Sequence, residues 1–286
     1  METFATGWLP DFPDIRDYTM DTEEVKPIFA AVCKNGTTPQ STVDLREWFS
    51  PVENQGSIGS CTAHAAIGLL EYCERRAFGK HVDASRLFTY KVTRKLMGVT
   101  GDTGAFLRTV MGALTMFGAP PEKFYPYVEA KYDDEPDQFV YALARNYQAT
   151  KYVRLDPPGS TRAQLMEGIK ANLCNGLPSM FGFSVYRSLY NPDVSKSGKI
   201  PYPAKGEKGD GGHAIVCCGY IDDMEIINPY DMHKTKGAFI IRNSWGTGWG
   251  NQGYGFLPYE YVEKGIAIDW WTLINAEWVD TNQFGV

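Results

Sequence analysis

The chain has 286 residues, 43% hydrophobic and 22% charged, with a net charge of -6. That size is enough for one large core or two smaller ones. The acidic balance leaves no basic footprint for nucleic acid, and no apolar run is long enough to cross a bilayer.

Residues 1–40 carry Pro10, Pro13, Pro27 and Pro39 with little periodicity, and read as an extended N-terminal arm. Its Asp11–Tyr18 stretch mixes apolar anchors with charges. It suits a segment lying along a groove, and equally a tail packed on the surface. Met1 to Ala5 show neither the basic region nor the apolar stretch of a secretory signal. The expected location is therefore cytoplasmic or another reducing compartment.

Asn54-Gln55-Gly56-Ser57-Ile58-Gly59-Ser60-Cys61 follows, a glycine-rich turn ending in a cysteine. From Cys61 to Phe78 the residues Ala63, Ala66, Ile67, Leu70, Cys73 and Ala77 keep helical spacing, and Gly79 supplies a stop. A cysteine at a helix N-terminus meets unpaired backbone N–H groups and the positive end of the helix dipole, both favouring thiolate. Gln55 is an amide donor that can face the oxygen of a carbonyl under attack, with the Cys61 N–H as its partner in an oxyanion hole. A second helix is expected from Thr103 through Leu114, ended by Gly118-Ala119-Pro120. Thr161 and Gln164 form a capping-box pattern for a third, which stops at Asn175-Gly176.

Asp133 to Asp137 and Asp156-Pro157-Pro158-Gly159 read as loops, the latter as a lobe boundary. Beyond residue 176 the pattern turns to short strands at 179–185, 214–220, 237–242 and 253–257. A helical first half followed by a β-rich second half is an α+β arrangement.

Two further frames carry chemistry. Gly211-Gly212-His213-Ala214 presents an imidazole at the start of an apolar strand, suited to take the thiol proton and return it to a leaving amine. His64, on the Cys61 helix, points with that helix's packing face and reads as a core or supporting residue; His81 and His233 sit in polar loops. Asn243-Ser244-Trp245-Gly246 follows a strand, so Asn243 can accept from the far nitrogen of His213 while Trp245 shields that bond. The six cysteines show no zinc-ligand spacing, and those other than Cys61 read as buried free thiols. No metal or organic cofactor is implied.

These frames resemble the papain-like (cathepsin-type) cysteine peptidases: Gln-Gly-Ser-x-Gly-Ser-Cys at 55–61, Gly-His-Ala at 212–214, Asn-Ser-Trp-Gly-x-x-Trp-Gly at 243–250 and Gly-Tyr-Gly at 253–255. The similarity extends from Val43 to about residue 262. The resemblance implies a papain-like two-lobed fold, a mainly helical lobe over about 50–155 and a β-barrel lobe over about 156–286, with the active site in the cleft between them. It implies Gln55 as oxyanion donor, Cys61 as nucleophile, His213 as general acid/base and Asn243 as its orienting partner. An apolar S2 pocket should govern specificity, with Gly104, Ala105 and Phe106 as a non-primed cleft edge and Gly212 and Trp245 as further cleft residues.

The chain departs from the family at Ile58, where a disulfide cysteine is common, and at Thr62, where tryptophan is usual. Long gaps between the frames imply inserted loops around 191–210 and 221–236. The expected activity is cleavage of polypeptides through an acyl-Cys61 thioester, as an endopeptidase. The family's long helical pro-domain does not fit into the residues ahead of Val43, so the arm is expected to lie across the cleft as a short pro-segment. A silent peptide-binding module and an acyltransferase or ligase using the same thioester are the alternative readings.

Overall fold

The structure, a computed structural model, describes residues 4–27, 30 and 40–278. In chain order its principal elements begin with β1 (Trp8–Leu9) and β2 (Thr42–Asp44). Helices α1 (Cys61–Phe78) and α2 (Arg86–Leu96) follow, then β3 (Ala105–Phe106), α3 (Leu107–Met116) and α4 (Gln138–Ala144). Then come β4 (Tyr147–Arg154), α5 (Arg162–Cys174), β5 (Ser179–Tyr186), α6 (Pro192–Ser197), β6 (Gly209–Ile227), β7 (Lys234–Arg242), β8 (Tyr254–Pro258) and β9 (Ala267–Trp278).

Local chemistry accounts for most boundaries. Helix α1 stops because Gly79 takes the left-handed conformation (φ 72°) and returns its N–H to Arg75 O at 2.8 Å. Ser85 caps α2 by accepting from Phe88 N at 3.1 Å. Thr161 and Gln164 close the expected capping box on α5. The helix expected from Thr103 begins at Leu107 instead, because Ala105 and Phe106 are held extended against Trp8 and Leu9.

The strands form a seven-stranded antiparallel sheet in the order β4-β9-β5-β6-β7-β8, with β2 added to β6. Its first strand in the β-rich part, β4, lies ahead of the boundary expected near residue 155. The inserted stretch at 221–236 is largely strand: β6 and β7 continue into it, with Glu225 opposite Lys236 and a Lys234–Glu225 ion pair of 2.7 Å across the ladder. The stretch at 191–210 holds α6 and the start of β6.

Helix α1 is the hinge of the packing. Its Ala66, Ile67 and Leu70 share one core with Phe181, Val216, Ile241 and Trp270 of the sheet, where Phe181 and Trp270 stack at 3.9 Å. Its other neighbours are α2 and β3, through Ala63, Leu87, Tyr90 and Ala105. The fully buried Glu71 accepts from Arg86 (3.0 Å), Ser50 Oγ (2.5 Å) and Ala84 N (3.1 Å), so this charge enters the interior with its partners. The N-terminus of α1 is thereby held rigidly where helices and sheet meet. Among the described residues no helix is long and apolar enough to cross a membrane.

Candidate active site

Cys61 is the first residue of α1 and is fully buried. The turn before it is pinned from three sides. Gly59 N donates to Asp102 Oδ1 at 2.8 Å; Ser60 Oγ and Tyr127 OH lie 2.6 Å apart; Glu129 accepts from Ser57 N and Oγ. Gln55 is oriented by Ser244, whose Oγ donates to Gln55 Oε1 at 2.6 Å, which fixes Nε2 as the donor end. That Nε2 donates to Ile58 O at 3.0 Å and to Ala5 O, in the arm, at 3.2 Å.

His213 enters on β6 and is also fully buried. Its Nε2 lies 2.8 Å from Asn243 Oδ1, and the same oxygen accepts from Ser244 N at 2.8 Å. An oxygen that accepts twice requires the His213 proton on Nε2, so Nδ1 carries the lone pair. Among the described residues Nδ1 has no hydrogen-bond partner. The indole of Trp245 stacks on the imidazole at 4.5 Å and covers its bond to Asn243. Ala214, the residue after His213, presents its backbone N–H to the Cys61 sulfur, so one strand serves both groups.

Burial dominates the electrostatics. It pushes the Cys61 thiol up to about 12, against backbone N–H groups of Ala214, Gly7 and Thr62 that favour the thiolate. It lowers His213 to about 4, with the Asn243 bond pulling the other way. With these values the pair is a neutral thiol and a neutral imidazole at pH 7. His64 is buried in α1, its Nδ1 3.1 Å from Ser60 O and its ring edge-on to Tyr127, and desolvation lowers it to about 3. It sits inside the helical packing, as its position on the helix implies.

The space before Cys61 is filled by residues 4–9. Phe4 stacks on Trp245 at 4.4 Å, and Ala5 O also accepts from Trp245 Nε1 at 3.2 Å. Gly7 N donates to Gly212 O at 3.1 Å and Ala105 N donates to Gly7 O at 2.8 Å, after which Trp8 and Leu9 pair in parallel with Ala105 and Phe106. A Cβ on Gly7 would fall 2.0 Å from Gly59 O, and one on Gly104 (φ 71°) would fall 2.2 Å from Gly7 O. Two glycines thus permit this backbone contact. Gly104, Ala105, Phe106, Gly212 and Trp245 therefore all meet the arm. Farther along, Arg108 binds Asp17 (2.7 Å) and Asp11 and donates to Phe12 O (2.8 Å), while Arg154 N donates to Tyr18 O.

Asp102, Tyr127 and Ser244 hold the site together; Ser244 lies in the Asn-Ser-Trp-Gly frame, while nothing in the local sequence of Asp102 and Tyr127 marks them. Asp269 has a weak signal: it is the lone charge in Ala-Ile-Asp-Trp-Trp. Among the described residues Cys61, Cys73, Cys174, Cys217 and Cys218 are all free; Cys33 lies outside them. No group of three or more His, Cys, Asp or Glu side chains among the described residues has the arrangement of a metal site.

A two-lobed α+β fold with a buried cysteine at a helix N-terminus and a buried strand-borne histidine bonded to an asparagine defines a class. The family model for papain family cysteine proteases matches residues 39–270, and the chain belongs to that family. It is 30% identical over 278 residues to a peptidase C1-like protein of Acanthamoeba polyphaga mimivirus, covering 93% of this chain and 86% of that one. Mouse cathepsin K is 26% identical over 226 residues, covering 78% of this chain and 60% of its own length. The crystal structure of xylellain, a cysteine protease from Xylella fastidiosa, superposes with a TM-score of 0.74 at 32% identity, covering 96% of this chain and 98% of that one. The digestive procathepsin L 3 of Tenebrio molitor shares the fold, with a TM-score of 0.61 at 18% identity over 86% of this chain and 77% of that one. The fold is papain-like, and membership of this family makes the chain a cysteine-type hydrolase of polypeptides.

Proposed function

We propose that the chain is a latent endopeptidase with an N-terminal arm (1–40) on a peptidase domain (41–286), and that Cys61, His213, Asn243 and Gln55 carry its reaction. The supporting observation is the unpartnered Nδ1 of His213, set by the Nε2–H bond to Asn243. The Cys61 thiol proton passes to Nδ1 as Sγ attacks the substrate carbonyl carbon. The oxyanion forms against Gln55 Nε2 and the Cys61 N–H. Collapse breaks the C–N bond, the imidazolium returns its proton to the departing amine, and water hydrolyses the acyl-Cys61 thioester with His213 as base. A donor such as Gln55 typically contributes roughly 3 kcal/mol to the lowering of the barrier.

Two features support latency. The Ala5 carbonyl already uses the Gln55 donor, and burial beneath the arm suppresses both charged partners, raising the thiol and lowering the imidazole. Removing the cover resolvates both groups and favours the thiolate–imidazolium pair. The free thiols fit a reducing compartment, which the nucleophile also needs.

The test is the rate at which a thiol-directed peptidyl epoxide labels Cys61, read by intact mass. It compares the full chain with the folded protein cleaved between arm and domain at an engineered site in 31–39. Slow labelling of the full chain, fast single labelling after cleavage and none in Cys61→Ser is the expected pattern. No labelling in either form overturns the peptidase reading in favour of a silent binding module. Equal labelling in both forms overturns latency alone.

A further inference from the structure

One contact of the arm has a chemistry that backbone pairing does not require. The indole of Trp8 is 6% exposed and fills a pocket whose walls exist only because two residues lack a side chain. A Cβ on Gly182 of β5 would fall 1.9 Å from the ring, and one on Gly212 of β6 would fall 2.8 Å from it. At the floor, Trp8 Nε1 donates to Asp269 Oδ2 at 3.0 Å.

Asp269 is placed there by a local irregularity. The ladder between β5 and β9 slips where Met180 pairs with Trp271 and Gly182 with Ile268, so Asp269 and Trp270 bulge out of register. Within that bulge Asp269 adopts φ 64°, a left-handed conformation uncommon for a non-glycine residue. Bulges of this kind re-aim a side chain, and a strained backbone beside a site is grounds for asking what it serves.

The two carboxylate oxygens differ. Oδ1 accepts from within the domain, from Trp271 Nε1 at 2.7 Å, and forms an ion pair with Arg154 Nη1 at 3.3 Å. Oδ2 takes its hydrogen bond from the arm. Arg154 is shared with two further carboxylates, Asp156 Oδ1 at 2.9 Å and, in the arm, Asp17 Oδ2 at 3.7 Å. One guanidinium therefore serves both Asp156 and Asp269 under the pocket, and once the arm leaves, Oδ2 is a buried carboxylate oxygen that has lost its hydrogen-bond donor. Such an acceptor is costly unless a donor replaces the one lost.

The pocket also lies one residue from the backbone that crosses Cys61. Gly7, next to Trp8, uses Gly212 O and Ala105 N, the groups an extended substrate would inherit when the arm departs.

Resting on the peptidase reading above, we infer that the Trp8 pocket is the principal specificity pocket. It selects substrate side chains that pair an apolar stem with an N–H donor at the tip, arginine foremost and tryptophan next, over purely apolar side chains. Asp269 is the residue that sets this preference. The resemblance alone led us to expect an apolar pocket; the buried carboxylate distinguishes this one.

The experiment uses the folded full chain cleaved between arm and domain, at neutral pH, with fluorogenic peptides varied at each of the three positions before the scissile bond. At one position arginine and tryptophan should exceed leucine and valine in kcat/KM by about tenfold or more, the scale of leaving a buried acceptor unpaired. Asp269→Asn keeps the shape and tolerates the left-handed backbone, and should lower the arginine-to-leucine ratio. Asp269→Gly, at ease at that φ, should abolish the preference for both donors. A wild-type preference for leucine or valine overturns the inference, as does an arginine preference that survives in Asp269→Gly; either leaves the peptidase reading standing. Absence of both turnover and epoxide labelling removes the peptidase reading, and this inference with it.

Discussion

The tautomer of His213 is decided by two neighbours, Asn243 and Ser244. Asn243 Oδ1 accepts from both the imidazole and Ser244 N, which fixes its oxygen and therefore the ring proton. In the reaction the bond strengthens as the ring becomes cationic. A hydrogen bond to a charged group is worth about 1.5–3 kcal/mol. Asn243→Ala should therefore lower kcat/KM of the arm-free enzyme by roughly 10- to 150-fold. The drop should fall mainly on kcat, checked by steady-state kinetics beside the melting temperature. Cys61, His213, Asn243 and Gln55 could be proposed from the sequence because each sits in a frame of glycines or aromatics. The supporting roles of Asp102 and Ser244 could not. Gly59 and Gln55, which they hold, lie 43 and 189 positions away in the chain, and a single sequence carries no trace of such pairings.

At the level of elements, legibility followed periodicity and caps. Helix α1 has a clean apolar stripe and a glycine stop, and α5 has its capping box, so both could be read directly. Helix α2 could not. Its Arg86, Thr89, Thr93 and Arg94 are buried among Leu87, Phe88, Tyr90 and Val92, so polarity does not mark its faces. Strands β4 and β9 were missed for a related reason. They pair with each other across a register shift, and their packing comes from α3 and Trp271 rather than from simple alternation. The capping box gives a clean local test. Thr161→Ala removes a side chain that accepts from Gln164 N, and should cost about 1 kcal/mol. In a domain of this size that is a fall in melting temperature of about 2 °C, with the epoxide labelling rate unchanged because α5 is remote from Cys61.

For the whole molecule, the arm is organised in two parts. Residues 4–9 contact the site, while Asp11 and Asp17 anchor to Arg108 and the Tyr18 carbonyl to β4. Discounted for its partial exposure, the Arg108 anchor is worth about 1 kcal/mol. Arg108→Ala in the full chain should then raise the epoxide labelling rate about fivefold, with no change once the arm has been cleaved. Only the composition of this segment was readable. Its path depends on glycines at 7, 104, 182 and 212 that make room for one another's neighbours, a relation visible only in three dimensions.

The arm is also part of the same chain as the site it covers. As the latency device proposed above, it would close in a unimolecular equilibrium, whereas a separate inhibitor dissociates as the complex is diluted. Latency of this kind would be the same in a crowded compartment and after dilution into a large volume. The local concentration of the arm is set by its covalent connection, so even contacts too weak to hold a free peptide can hold the covering segment closed. On this reading, cutting that connection or an agent that competes for the Trp8 pocket shifts the balance, and the timing of activity would rest on such events and not on how much protein is present.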